Sequence, residues 1–412
     1  MAYDYGVLLG QNGMPGGNNY ISKDFAADIN YRTLELGWNC YQPSRPIDAN
    51  HMLEPSYSAD VDKAMDRIVM SGSFIVLELG IHYAPDWVID IAPLKNQYGD
   101  VLTSENLHNN GMELSANVYW NETVRKCMSD YITAVVKHLL SRPGANRIVA
   151  IRVGSGGCVE TGYPGSYPGR AQCYWAFDYD AQTRSSCPCP GWKPHSGTGD
   201  PNAAPFYDWY VDRMVNTINL IYYIIHNTGF TGKVLQLMPG CGVHGNAPNG
   251  YTGLVRNNLM PAGPPWGTDG CGKAASYDTI LAGLDRRAPN LAAMNVIVYC
   301  SSMADSSSVW PNDSRFSSTN DQDPNDTLSW SAARYISYLA RKYRRPAPWG
   351  ENPGPENYTD YVDMQVLFND MKTWGYSTIF WAFDQTLHTP KTRNGRMDAS
   401  LAQYKALIRA NP

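Results

Sequence analysis

The sequence predicts an α/β protein built as a single (β/α)8 TIM barrel. Short apolar segments rich in β-branched residues alternate eight times with longer segments that have the apolar spacing of helices. Glycine, aromatic and polar residues gather directly after the apolar segments, as expected at the C-terminal ends of barrel strands. Composition does not change along the 412 residues, so we expect one catalytic domain over 1–412 with long loops at its C-terminal face.

The predicted strands are short and mostly continuously apolar, which is typical of strands buried on both faces. The fourth strand is the most clearly marked, because a β-branched run ends abruptly in the glycines at 154, 156 and 157. The eight predicted strands are Tyr5–Leu9, Thr33–Trp38, Phe74–Leu79, Ile148–Val153, Val234–Met238, Met294–Tyr299, Pro346–Gly354 and Thr378–Phe383.

The predicted helices lie between and after these strands. Ser58 is expected to cap one of them, and the basic residues near Lys342 suit the C-terminal end of another. The alternative fold is a doubly wound open sheet, but the glycine fingerprint typical of that fold is missing. The predicted helices are Ser22–Ile29, Ser58–Val69, Val118–Leu140, Tyr207–Ile225, Tyr277–Arg287, Leu328–Lys342, Tyr361–Trp374 and Leu401–Ala410.

Composition narrows the range of partners. The net charge of −5 argues against a nucleic-acid partner, and no apolar run is long enough to predict a membrane partner. Tyr 28 and Trp 12 outnumber Phe 9, and a flat apolar ring with a polar edge suits stacking on sugars, although most of these rings will belong to the core. The sequence does not indicate an oligomeric state.

The nine cysteines suggest an oxidising compartment. Four of them fall in a cysteine-bearing loop at about 158–205, which predicts disulfide bonds and a secreted or otherwise extracytoplasmic protein. A zinc site that also uses His195 is the rival interpretation, but Cys187 and Cys189 lack the usual two-residue spacer. The sequence shows no signal-peptide pattern, so we expect any export signal to have been removed or not included, whereas four glycosylation triplets are compatible with secretion. The clustered cysteines are Cys158, Cys173, Cys187 and Cys189, and the triplets begin at Asn121, Asn312, Asn325 and Asn357.

Two glutamates occupy strand exits that should face each other. Glu160 follows the fourth strand and Glu351 the seventh, and strands three positions apart lie across the mouth of an eight-stranded barrel. Two carboxyl groups on either side of one bond can hydrolyse a glycosidic linkage without a metal or a cofactor. The predicted substrate-binding residues near these exits are Trp38, Asn39, His82, Tyr83, His244, Tyr299, Trp381 and Asp384.

This plan resembles the clan A glycoside hydrolases, a large retaining group that includes β-galactosidases, cellulases and mannanases. The resemblance implies that Glu160 is the acid/base and Glu351 the nucleophile. It further implies that Tyr299 is a partner of the nucleophile and that Trp381 is a platform under the sugar at the cleavage site.

The motif on strand four departs from the clan pattern. Val159 precedes Glu160 where the clan usually has asparagine, so Asn39 is the candidate for the contact to the sugar 2-hydroxyl. The segment Val153–Pro168 is similar to the strand-four motif of β-amylases, which are inverting enzymes on a related barrel. That similarity is confined to this segment, and we find no second β-amylase motif. We expect retention, with inversion by the same glutamates as the first alternative and a non-catalytic carbohydrate-binding barrel as the second.

The long loops indicate an extended substrate. Those after strands three to six are far longer than the roughly 2–6 residues of a minimal barrel, and tyrosine and tryptophan recur in them. Each additional stacking face adds binding energy that a pocket for one sugar could not use. We expect an oligosaccharide or polysaccharide substrate, β-linked by the family resemblance.

Overall fold

Eight parallel strands close into a barrel in the computed structural model, and helices surround it. Neighbours along the chain are neighbours in the sheet, and β1 pairs with β8 to close the ring. The strands are β1 Asp4–Leu8, β2 Tyr31–Glu35, β3 Phe74–Glu78, β4 Ile148–Val153, β5 Lys233–Met238, β6 Val296–Cys300, β7 Trp349–Glu351 and β8 Thr378–Ala382.

The structure describes most of the barrel and its helices. The described residues are 3–8, 28–48, 51–96, 98–110, 116–154, 161, 186–192, 201–238, 277–287, 295–301, 303, 332–352, 359–382, 384–393 and 395–412.

Helices follow the strands and cover the outside of the barrel. Several begin at a polar cap, as in α5, where the Asn121 side chain accepts from the Val124 amide. None in the described part of the chain combines the length and the apolar character needed to cross a membrane. The helices are α1 Trp38–Tyr41, α2 Pro55–Met70, α3 Asp86–Ile89, α4 Ser104–Asn109, α5 Glu122–Leu140, α6 Ala203–Asn227, α7 Tyr277–Arg287, α8 Ala332–Lys342, α9 Tyr361–Trp374, α10 Asp384–His388 and α11 Leu401–Ala410.

The strands bury side chains on both faces, because alternate residues point into the barrel and out toward the helices. The outer faces and the helices share the larger core. Inside the barrel, Tyr31 packs 5.1 Å from Trp349 between ring centroids, and Phe380 completes this aromatic layer. The barrel interior is therefore filled by side chains below its C-terminal end.

Register brings charged residues side by side at that end. Glu35 of β2 is the Cα partner of Glu78 of β3, and Glu78 is the Cα partner of Arg152 of β4. The pairing shifts by one residue between Ile75 and Val76. Without that shift Arg152 would not stand beside Glu78.

The predicted (β/α)8 fold is confirmed, and most boundaries differ by only one or two residues. The seventh strand differs most, since it is Trp349–Glu351 rather than Pro346–Gly354, and the second strand is Tyr31–Glu35 rather than Thr33–Trp38. Leu36 and Trp38 are buried among the helices after the strand has ended, so the apolar alternation continues past the hydrogen-bonded ladder.

Two predicted helices differ from the structure or lie largely outside the described residues. The predicted cap Ser58 lies inside α2, which begins at Pro55 because proline suits the first turn of a helix. The predicted helix Ser22–Ile29 falls largely outside the described residues.

Candidate active site

Four charged side chains meet at the C-terminal end of the barrel. Glu35, Glu78 and Glu351 are the last residues of β2, β3 and β7, and Arg152 is the last but one of β4. Arg152 and Glu351 are nearly inaccessible, with side chains 5% and 9% exposed. Buried charges are stable only when they are paired, so the contacts among these groups decide what the site can do.

Arg152 links two of the glutamates. Its Nη1 donates to Glu78 Oε2 at 2.6 Å, and its Nη2 donates to Glu351 Oε1 and Oε2 at 3.4 and 3.3 Å. Burial lowers the pKa of Arg152, but the charges of Glu351 and Glu78 outweigh it and raise that pKa above its ordinary value. The guanidinium therefore stays charged, and its contact with Glu351 spans the barrel mouth from β4 to β7.

Tyr299 is a second donor to Glu351. Its hydroxyl donates to Glu351 Oε2, and its ring lies 4.9 Å below the Arg152 guanidinium. Burial, followed by the Glu351 charge, holds the pKa of Tyr299 far above its usual range, so the phenol keeps its proton. Donors from two directions favour the ionised carboxylate of Glu351 and fix its orientation.

A second group of side chains lies on the β2–β3 side of the mouth. One ligand atom from each of Glu35, Glu78 and His82 lies within 4.8 Å of the others, and the Tyr83 hydroxyl donates to Glu35 Oε1 at 3.0 Å. Burial, with the nearby Glu78 charge, raises the pKa of Glu35 to about 7. We call Glu35, Glu78 and His82 the carboxylate–histidine cluster.

His82 is an unusual member of this cluster. It is 6% exposed, and its Nδ1 is buried without a hydrogen-bond partner. Burial, with a contribution from the Arg152 charge, lowers the pKa of His82 to about 3. The imidazole is therefore neutral, with an unused ring nitrogen.

The structure brings together four of the predicted site residues. His82, Tyr83, Tyr299 and Glu351 all belong to the networks at the barrel mouth. Asn39 is close by, since its backbone amide donates to the Tyr83 carbonyl at 2.8 Å.

Asp384 lies at the neighbouring β8 exit. It begins α10 immediately after β8 and is buried. Its charge acts on the buried Arg32, whose pKa burial lowers to about 10 against the opposing effect of Asp384.

The prediction that Trp38 and Trp381 face the substrate is wrong, because both side chains are fully buried in the outer core. Trp38 stacks on Tyr131 with ring centroids 5.3 Å apart. Trp381 follows the inward-pointing Phe380, so alternation along β8 turns it toward the helices, where its Nε1 donates to Thr386 at 3.0 Å. Neither ring presents a face to the mouth.

Glu160 and His244 lie outside the described residues. The residue that follows Glu160 is described: Thr161 is fully buried, and its amide donates to the Leu237 carbonyl at 3.1 Å. Its hydroxyl also bonds the Leu237 carbonyl and accepts from the Gln236 side chain. Thr161 is thus anchored to the end of β5.

The disulfide prediction is wrong for two of its four cysteines. Within the described part of the chain, neither Cys187 nor Cys189 forms a disulfide bond, while Cys158 and Cys173 lie outside it. Cys189 is buried, and its thiol contacts the Asn202 carbonyl at 3.8 Å, so it packs as a small apolar residue. Most of the loop at about 158–205 lies outside the described residues.

Glu35, Glu78 and Arg152 were not among the site residues predicted from the sequence. The available signal was a charged residue inside an apolar strand: Glu78 follows an apolar run in β3, and Arg152 lies between Ile151 and Val153 in β4. An ionised side chain at an inward position of a buried strand needs an ionic partner. Such residues are candidates for a site.

Similar folds occur among known glycosidases. The catalytic domain of the β-amylase from Paenibacillus polymyxa matches with a TM-score of 0.67 and 13% identity over 100% of both chains. A β-galactosidase from Halorubrum lacusprofundi matches at 0.56 and 11%, covering 98% of this chain and 57% of that one. A β-galactosidase from Marinomonas ef1 matches at 0.56 and 12%, covering 99% and 59%. The chain thus spans less than two thirds of either β-galactosidase.

These matches define the fold class. The chain has a (β/α)8 barrel fold like that of the β-amylase catalytic domain and of the β-galactosidases. No protein-family model matches the chain, and a search of curated proteins finds no match in sequence either. At these identities the likeness concerns the fold alone.

Proposed function

We propose that the protein is a glycoside hydrolase that cleaves O-glycosidic bonds in an oligosaccharide or polysaccharide. The observation that carries this proposal is Glu351, a carboxylate at the barrel mouth that Arg152 and Tyr299 hold ionised and oriented. Glycoside hydrolysis needs such a group to attack the anomeric carbon or to activate water. The same fold in a β-amylase and in β-galactosidases supports the reaction class.

In the proposed mechanism, Glu351 is the nucleophile and Glu160 the acid/base. Glu160 protonates the leaving oxygen while Glu351 attacks the anomeric carbon, so the glycosidic C–O bond breaks and a glycosyl ester forms. Glu160 then takes a proton from water, which displaces Glu351 and regenerates both groups. Two features support the pairing: Arg152 already spans the mouth from β4 to β7, and Thr161, next to Glu160, is anchored at the end of β5.

Inversion by the same two glutamates is the second candidate. The similarity of Val153–Pro168 to the β-amylase motif favours it, as does the match to the Paenibacillus polymyxa enzyme. Proton NMR of the first-formed product separates the two mechanisms. Retention requires carboxyl groups about 5–5.5 Å apart and inversion about 6.5–9.5 Å, so an inverted product would reassign Glu351 as the base that activates water.

The test of the function is release of new reducing ends from a panel of plant, bacterial and fungal glycans. Glu351→Gln and Glu160→Gln should each lower turnover by several orders of magnitude with little loss of stability. Glu122→Gln is the matched control, because that glutamate is 77% exposed at the start of α5. Near-normal activity of either active-site variant contradicts the pairing, and binding without release identifies a carbohydrate-binding barrel.

Asn39, His82, Tyr83, His244 and Asp384 are the proposed substrate contacts. We expect catalytic efficiency to rise along an oligosaccharide series and to be poor on an aryl monosaccharide, because remote subsites contribute binding energy to the transition state. Equal efficiency on both would leave a pocket for one sugar.

We also propose that the protein acts outside the cytoplasm. The four glycosylation triplets support this, whereas the lack of a disulfide bond at Cys187 and at Cys189 does not. A loss of mass on treating protein from its native source with a peptide N-glycosidase tests the proposal. An unglycosylated protein recovered from the cytoplasm contradicts it.

A further inference from the structure

Two carboxylates lie side by side at the barrel mouth. Glu35 of β2 is the Cα partner of Glu78 of β3, and both side chains belong to the carboxylate–histidine cluster. Neighbouring carboxylates repel each other when both are charged. A cation bound between them would replace that repulsion with attraction.

The carboxylate–histidine cluster has the donor set for such an ion. Glu35 and Glu78 offer carboxylate oxygens, and His82 offers a ring nitrogen, with one donor from each within 4.8 Å of the others. Three donors 4.8 Å from one another lie about 2.8 Å from the centre of their triangle, and donors bind an ion at about 2.0–2.2 Å. An inward movement of under 1 Å by each donor would therefore complete the coordination.

His82 points to a ligand independently of the acidic pair. A ring nitrogen that is buried and unpartnered costs free energy, and Nδ1 of His82 is such an atom in a side chain 6% exposed. Coordination of an ion through Nδ1 would give this ring nitrogen the partner that it lacks.

The surroundings match the outer contacts that metal sites use. Ligating carboxylates usually accept hydrogen bonds that hold them in place. Tyr83 donates to Glu35 at 3.0 Å, and Arg152 donates to Glu78 at 2.6 Å. Glu35 is partly exposed, so an ion can enter from the mouth.

We propose that Glu35, Glu78 and His82 bind one divalent ion of the first transition row. Imidazole together with carboxylates fits Mn²⁺ or Zn²⁺ better than Mg²⁺ or Ca²⁺, which prefer oxygen ligands alone. Arg152 bonds both Glu78 and Glu351, so it stands between the ion site and Glu351. The ion site goes beyond the proposed hydrolysis and does not depend on it.

The test is Mn²⁺ binding to the full-length chain after treatment with EDTA. Binding is measured as the loss of the electron paramagnetic resonance signal of free Mn²⁺. Mn²⁺ is the primary probe because the nine cysteines could capture Zn²⁺ at unrelated thiols. Zn²⁺ is then added as a competitor, with metal content measured by mass spectrometry. We expect one Mn²⁺ per chain, displaced by Zn²⁺.

Glu35→Gln and His82→Gln should each abolish the bound fraction. Tyr83→Phe should weaken binding by about 10–100-fold, as loss of an outer hydrogen bond does elsewhere. Asp86→Asn is the matched control, because Asp86 forms an exposed carboxylate–histidine pair with His108 at 2.9 Å; this variant should bind like the unmodified protein.

A loss of binding in Glu35→Gln should not result from unfolding. This change removes the repulsion between two carboxylates, so the metal-free variant should be at least as stable as the unmodified metal-free protein. Circular dichroism of each variant verifies this. Absence of stoichiometric Mn²⁺ and Zn²⁺ binding overturns the proposal, and so does binding that survives in both Glu35→Gln and His82→Gln. No glycan enters the assay, so its failure leaves the hydrolase proposal untouched.

Discussion

Replacement of Arg152 by methionine should lower the free energy of unfolding at pH 7 by about 3–5 kcal/mol. Methionine keeps the unbranched apolar part of the side chain, so the loss of stability measures the removal of the charged guanidinium. The partners left behind are Glu78 and Glu351, whose side chains are 11% and 9% exposed. An exposed ion pair is worth at most about 1 kcal/mol. Because all three groups are buried, we expect the loss of about 3–5 kcal/mol instead.

Urea denaturation of the metal-free protein measures this loss. Arg142→Met is the matched control, because Arg142 also contacts two carboxylates, Asp62 at 2.8 Å and Asp66 at 3.4 Å, but is 27% exposed. It should cost no more than about 1 kcal/mol. An Arg152→Met loss as small as that of the control would refute the argument from burial.

Two further measurements sharpen the test. Without the guanidinium, Glu78 and Glu351 lose a shared counter-charge, so the stability deficit of Arg152→Met should shrink when the pH is low enough to protonate buried carboxylates. The double variant Arg152→Met/Glu78→Gln should recover about 0.5–3 kcal/mol relative to the sum of the single changes. Strict additivity would mean that the two side chains do not interact.

The remaining predictions concern one donor and one buried acid. Tyr299→Phe removes a hydrogen bond to a charged Glu351, worth about 1.5–3 kcal/mol, so kcat should fall roughly tenfold to a hundredfold with little change in KM; an unchanged kcat excludes Tyr299 from the chemistry. Burial, with help from a neighbouring carboxylate, raises the pKa of Asp363 from 3.8 to about 6, so its unfavourable contribution is absent below pH 4 and grows to about 3 kcal/mol above pH 6. Asp363→Asn should therefore stabilise the protein at pH 7 and not at pH 4 in urea denaturation, and equal stabilisation at both values contradicts the shift.

Much of the fold could be predicted because local patterns mark it. Ile148–Val153 is a β-branched run stopped by glycine, and its predicted bounds match the strand. Tyr277–Arg287 and Tyr361–Trp374 are likewise helices over their predicted bounds, since each places its apolar residues on one face. The second strand shows the limit of the method: Leu36 and Trp38 keep an apolar alternation that only tertiary packing assigns to the helix layer.

The candidate site was predictable only in part. Glu351 stands out as a carboxylate at a strand exit, but its partner Arg152 lies inside an apolar run of a distant strand. The pairing of Glu351 with Arg152 depends on closure of the barrel. The contact of Arg152 with Glu78 depends on a register shift in the pairing of β3 with β4. Neither leaves a local trace in the sequence. The prediction for Trp381 was wrong for a different reason: alternation along β8 turns its side chain toward the helices, whereas that of Phe380 points into the barrel.

The anchor at Thr161 has a consequence for changes in the sequence after it. Its bonds go to Leu237 and Gln236, which belong to β5, so the barrel itself fixes this point of the chain. We therefore expect Thr161 to keep its place when the sequence after it is changed. Under the proposed function, substitutions after Thr161 would alter substrate preference without moving the residue next to Glu160.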